Sequence, residues 1–302
     1  MKKHIKISTI VIIAIAAMTL TQGCENNENN SDSRIKGGFS LIINDSITYN
    51  SNSIEFYDLS SHLIYLENGN SFAFSDHGKF SVLIGTDEIY SGNMHPRFSS
   101  SIPVGPYIPC SPTFYNGYII PVGFNQFVDN KKSSNDDLRN DPRIIETLKK
   151  YNQLKKGLLS KILSIQKIFG NSIKITLELN NLDSENLLIL DPDKMGAELF
   201  HYYTNGLILK DAQNNTYSHN LTIEKPESND LWKRDWLSAI TGHQAKTISI
   251  VYNDFDFLPK GEYTAKFNFP GLRSQVEKNE LYQHNGRIWL GKLNISKTIN
   301  IE

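Results

Sequence analysis

The chain has 302 residues, with 31 basic against 32 acidic side chains and a formal charge of −1. So close a balance supplies neither a basic field for nucleic acid nor an acidic field for a cationic partner. With 39% hydrophobic residues and two cysteines, the folded part must rest on apolar cores rather than on a disulfide framework.

The first segment is a leader. Lys2, Lys3 and Lys6 precede the apolar run Ile10 to Met18, and Gly23 stands directly before Cys24. A basic start, a short apolar stretch and a small residue before the cut are the parts of a secretory signal, and the stretch is shorter than the roughly 20 apolar residues of a membrane span. Leu20-Thr21-Gln22-Gly23-Cys24 resembles the lipobox of bacterial lipoproteins, Bacteroidota-like in its relaxed form, although Thr21 holds the place where an aliphatic residue is usual. The resemblance implies cleavage after residue 23, acylation of Cys24 by palmitate-type chains, and an envelope protein anchored in a membrane, the outer membrane being expected. Residues 24–36 are polar, acidic and Asn-rich, and read as a flexible tether.

Residues 37–130 read as a small β domain. Short runs at Phe39 to Ile43, His62 to Leu66, Phe80 to Ile84 and Tyr118 to Val122 alternate with Asn, Asp, Ser and Gly clusters. Between 98 and 112, Pro103, Pro106, Pro109 and Pro112 argue against a central strand or a helix and predict a semi-rigid surface loop. Cys110 in that stretch reads as a small apolar filler.

Residues 131–171 read as a linker followed by one long α-helix. Asp141 is a suitable N-cap and Pro142 a suitable first position. Apolar residues at 144, 148, 151, 158, 162, 165 and 169 follow in steps of four and three, broken at Lys155, and Gly170-Asn171 closes the run. The expectation is an amphipathic helix of about 28 residues, some 42 Å long. Its polar face carries six lysines against Glu146, which could rest on an anionic membrane or simply face water.

From 172 to 302 the pattern returns to β. Ile173 to Leu179 alternates cleanly, and further runs follow at Asn186–Leu190, Gly206–Leu209, Thr247–Tyr252, Glu262–Phe269 and Ile288–Ile301. Leu258-Pro259-Lys260-Gly261-Glu262-Tyr263 resembles the tyrosine corner of Ig-like and fibronectin-type sandwiches, in which the Tyr hydroxyl bonds to backbone just upstream. The resemblance implies an Ig-like β-sandwich here, with Trp289 plugging its core; it carries no function. The fold class expected is therefore mainly β with one long helix.

Motifs of chemistry are sparse. Ser164-Ile165-Gln166-Lys167 matches Ser-x-x-Lys without the companion motifs of penicillin-binding enzymes. Asp191-Pro192-Asp193 and the pair Asp254, Asp256 alternate as calcium loops do, yet Met195 and Tyr202 stand where further oxygen ligands belong. No cofactor or metal is expected. Aromatics are the remaining lead: Trp232 and Trp236 are four apart, and Tyr202-Tyr203 precede them, a set suited to sugar rings or a protein partner. The reading is a non-catalytic, membrane-anchored lipoprotein that binds a protein or glycan. An envelope-polymer hydrolase with a dispersed site, or an inhibitor of a secreted enzyme presenting the Pro-rich loop, are the alternatives.

Overall fold

A computed structural model describes residues 37–72, 77–96, 99–110, 115–125, 127–128, 131–132, 137–196, 199–200, 202, 206–220, 233–272 and 276–302. The protein is mainly β. The first unit contains β1 (Phe39–Ile43), β2 (Ile47–Asn50), β3 (Ile54–Asp58), β4 (Leu63–Leu66), β5 (Lys79–Ile84), β6 (Asp87–His95), β7 (Gly105–Pro109), β8 (Ile119–Pro121) and β9 (Gly123–Asn125), then the hairpin β10 (Phe127–Val128) and β11 (Lys131–Lys132). One sheet runs β2-β1-β5-β6-β7-β9. The other has the order β12-β3-β4-β8, with β12 (Leu154–Lys155) lying parallel to β3.

The four residues of β4, Leu63-Ile64-Tyr65-Leu66, are all buried, and the reason is that both its faces are covered. Ile64 and Leu66 face the core of the first unit, with Phe39, Leu41, Phe80 and Val82 from the opposite sheet. Leu63 and Tyr65 face the core of the second unit. The small sheet is thus the shared middle layer of the molecule.

Two expectations are corrected. The Pro-rich stretch is not a loop throughout: β7 lies inside its sheet, parallel to β6 and antiparallel to β9. Pro106 and Pro109 stand near its ends, Tyr107 and Ile108 keep their N–H groups, and the amide of Cys110 beyond the strand donates to His95 O at 3.0 Å. Cys110 itself is buried in the core.

The long helix over 142–169 is also absent. Helix α1 spans only Pro142–Lys150, capped by Asp141, whose carboxylate accepts from Arg143 N at 2.9 Å. The chain then turns at Asn152 (φ 57°), and Leu158–Lys167 is strand β13. A β-bulge between Ile162 and Ser164 shifts its register by one. Inward positions therefore fall at 158, 162 and 165, the steps of four and three that imitate helical periodicity. Gly170 (φ 55°) sits in the β13–β14 turn rather than at a helix C-cap.

The second unit continues with β14 (Ile173–Asn181), β15 (Leu187–Leu190), the short α2 (Pro192–Met195), β16 (Leu207–Lys210), β17 (Thr216–Ser218), β18 (Leu237–Ile240), β19 (Ala245–Tyr252), β20 (Gly261–Pro270), β21 (Tyr282–Gln283), β22 (Gly286–Ile288) and β23 (Lys292–Ile301). Sheet β13-β14-β19 and sheet β17-β16-β20-β23 form a sandwich in the A-B-E and C′-C-F-G order of Ig-like domains. At the head of β20, Tyr263 Oη donates to Pro259 O at 2.6 Å, which is the tyrosine corner read from the sequence. The β14–β19 ribbon then bends and continues as β15–β18, and β22 and β21 extend that part into a third sheet. Trp289, 1% exposed, fills the core next to β22 and donates from Nε1 to Ser60 Oγ of the first unit at 3.1 Å.

Candidate functional site

The β21–β22 hairpin is planted by one arginine. Arg287 is fully buried on β22. Its Nε donates to Glu185 Oε1 (2.8 Å), its Nη2 to Asp183 Oδ2 (3.0 Å) and its Nη1 to Asp58 Oδ2 of the first unit (3.5 Å). The Phe56 ring lies 4.9 Å from the guanidinium carbon. The second carboxylate oxygens of Asp58 and Asp183 are also satisfied. Asp58 Oδ1 accepts from Ser60 Oγ (2.6 Å), and Asp183 Oδ1 from the amide of Lys156 (2.6 Å). Gly157 (φ 74°) makes this approach possible, since a Cβ there would lie 2.2 Å from Ser60 Oγ. Lys155 completes the cluster with an ion pair to Glu185 at 3.1 Å.

Burial opposes the Arg287 charge, but Asp58 and Glu185 hold its pKa above the ordinary guanidinium value. Burial alone would raise the Glu185 carboxyl, yet hydrogen bonds and charge from Arg287 and Lys155 hold it below the usual carboxylate range. Three carboxylates do converge here, as a hydrolase would require. They converge on a guanidinium, with Asp58 0% and Asp183 5% exposed at the side chain, and so tie the two units together.

Above this buried anchor lies a cleft of about 410 Å³ lined by Arg234, Asn279, Glu280, Tyr282, Gln283 and His284. Each wall has a stated support. Arg234 opens the 3-10 turn Arg234–Trp236, and Trp236 packs against the large core, fixing that turn. The opposite wall is the 3-10 turn Lys278–Glu280, closed by a capping box in which Glu280 Oε2 accepts from Glu277 N at 3.2 Å. Tyr282 is 45% exposed, and its hydroxyl donates to Glu55 Oε1 at 3.1 Å, which holds the ring. Burial and the neighbouring Glu55 push that hydroxyl's pKa up, so it stays protonated and can donate. Lys278 pairs with the same Glu55 at 2.9 Å. The result is a polar, open depression with one flat aromatic face, a cation, two amides, a carboxylate and an imidazole.

Of the aromatic candidates, Trp236 is half-buried and packed, and Tyr202 is half-buried just after the 199–200 turn. Trp232, Tyr203 and the lipidation candidate Cys24 lie outside the described residues. Asp191, the first carboxylate of the calcium-like run, caps α2 and pairs with Lys246 at 2.8 Å. Asp256 Oδ2 accepts from Ser218 N at 2.7 Å. Among the described residues no group of three or more His, Cys, Asp or Glu is placed to hold a metal. Sequence reasoning passed over Tyr282 and His284. The Asn285-Gly286 pair beside them is a hairpin signal that could have drawn attention to that segment.

No protein-family model matches the chain, and no curated protein matches it.

Proposed function

We propose that the protein is a non-catalytic lipoprotein of a bacterial envelope, held in a membrane through acylated Cys24, that binds a glycan in the Arg234–Tyr282 cleft. The observation that carries the binding half is the cleft's chemistry: an exposed, pinned Tyr282 face beside Arg234, Asn279 and His284. A pyranose ring offers C–H faces to an aromatic and hydroxyls to amides and guanidinium, whereas an apolar ligand would find few partners there. Trp236 stands two residues from Arg234 in the same turn and packs against the core, which supports Arg234 in the cleft wall. The anchoring half is supported by the leader, Gly23-Cys24 and the polar stretch 25–36. Among the described residues no helix is long and apolar enough to cross a membrane.

Two measurements test the reading. Cys24→Ala is expected to move the protein from the membrane fraction to the soluble fraction, and unchanged partition would overturn the anchor. In glycan-array and calorimetric binding with the acylated protein, Tyr282→Ala and Arg234→Ala are each expected to weaken binding about tenfold or more. Full retention of binding by both variants would place the glycan elsewhere.

A further inference from the structure

The end of the sandwich at the β13–β14 turn carries three large exposed apolar side chains beside the exposed Asp254. β13 and β14 turn over through Ile168–Ser172, and the 253–257 loop lies against that turn. Phe255 N donates to Asn171 O at 3.0 Å, and Ser172 Oγ donates to Asn253 O at 3.2 Å. Phe255 is fully buried and anchors the loop. Its neighbours do the opposite: Phe169 is 87% exposed, Phe257 68% and Ile168 51%. The Lys167 ammonium lies 5.2 Å from the centre of the Phe257 ring, at the base of the group. Large apolar side chains clustered in water are uncommon on a soluble surface and mark a contact.

We propose that this tip inserts into the interfacial layer of a lipid bilayer, as a second, non-covalent membrane contact of the lipid-anchored chain. The proposal rests on the anchor reading for the presence of a bilayer. The shape favours lipid over a protein pocket or a second copy: the group is the convex end of a two-stranded turn, which a fluid interface can envelop without a complementary cavity. The composition agrees, because Phe and Ile reach the acyl boundary while a lysine beneath them meets headgroup phosphate. The tether supplies the proximity. An anchor at Cys24, thirteen residues before the first described residue, keeps the folded body close to the surface and raises the effective concentration of the tip there. Gly37 lies beside the Tyr151 hydroxyl, near the start of β12, whereas the ten-residue β13 carries the tip about 33 Å away. Tether and tip are thus toward opposite ends, and a body held at both lies along the membrane.

The test uses the acylated full chain in vesicles of phosphatidylethanolamine and phosphatidylglycerol with brominated acyl chains. Phe169→Trp and Phe257→Trp are compared with Ile47→Trp, a 45%-exposed position on β2 of the first unit. All three exposed positions tolerate substitution without loss of core packing. Brominated lipid is expected to quench the emission added by the two tip substitutions about twofold while leaving that of Ile47→Trp unchanged. Equal quenching at tip and control overturns the proposal. So does dissociation of a dimer by Phe169→Asp with Phe257→Asp, which would make a second copy the occupant. Mass spectrometry of the N-terminal peptide separates the two readings. A chain without lipid whose tip is still quenched on mixing with vesicles retains the tip proposal and loses the anchor; an acylated chain without tip quenching does the reverse.

Discussion

His62 illustrates a titratable side chain committed to folding. It sits in left-handed backbone (φ 54°), 8% exposed, and its Nδ1 shares a 2.8 Å hydrogen bond with the Tyr57 hydroxyl. Burial, and then the nearby Arg139 charge, push its pKa down to about 3. The folded state therefore refuses a proton that an unfolded histidine accepts near 6.5, so stability is full above that pH and declines as pH falls from 6.5 toward 3. The expected slope is about 1 kcal/mol per pH unit in urea titrations between pH 6.5 and 5. His62→Asn, which tolerates the positive φ, should flatten that slope; an unchanged slope would assign it to other groups. Below this window Glu185 and Asp191 add to the loss: their depressed carboxyls contribute stability that is present above the ordinary carboxylate pKa and disappears as pH falls through the folded values. Nothing around residue 62 in the sequence signals this, because the charges that act on it, Arg139 and Asp137, lie far along the chain. Tyr263 is the opposite case. Its partner lies four residues away at Pro259, so the local sequence carries the whole motif.

At the scale of elements, β13 is the instructive case. Its apolar residues obey helical spacing because a bulge interrupts strand alternation, and Lys161 and Lys167, expected on the polar face of a helix, occupy exposed positions of the strand. Strand and helix differ in which side chains carry weight. Ile162 and Ile165 are buried at 5% and 8%, while Leu159 is 54% exposed although a helical stripe would bury it. Ile162→Ala and Ile165→Ala are each expected to cost about 2–4 kcal/mol in equilibrium unfolding, and Leu159→Ala less than about 0.5 kcal/mol. A large effect of Leu159→Ala would restore the helix. β14, directly opposite, alternates without a bulge and was legible at once; the pairing of its nine residues with β13 is the tertiary fact that recruits the ambiguous segment into a sheet.

For the whole molecule the decisive feature is that the two units share a layer and an ion cluster. Tyr65 and Phe56 of the first unit belong to the core of the second, Tyr118 Oη donates to Val276 O at 2.8 Å, and Arg287 ties Asp58 to Asp183. Unfolding is expected to be a single cooperative transition, with calorimetric and van't Hoff enthalpies in agreement. Arg287→Met leaves buried carboxylates without their cation and should cost about 3–5 kcal/mol. Adding Asp58→Asn and Asp183→Asn should recover much of that loss, because the triple variant no longer buries two carboxylates that repel each other without a cation. Separate transitions in the unaltered protein would show that the cluster does not couple the units. The cleft depends on the same coupling, since Tyr282 is pinned by Glu55 from the other unit.

By itself the sequence determined the β character, about half of the strand positions and the tyrosine corner, because each is encoded over a few consecutive residues by alternation, turn chemistry or a short motif. Only the tertiary structure decided the fate of 158–167, the interior strand through Pro106 and Pro109, the Arg287 cluster and the cleft. The last two join residues more than a hundred positions apart, as Asp58 with Arg287 and Glu55 with Tyr282, and no local pattern records which distant surfaces will exclude water together.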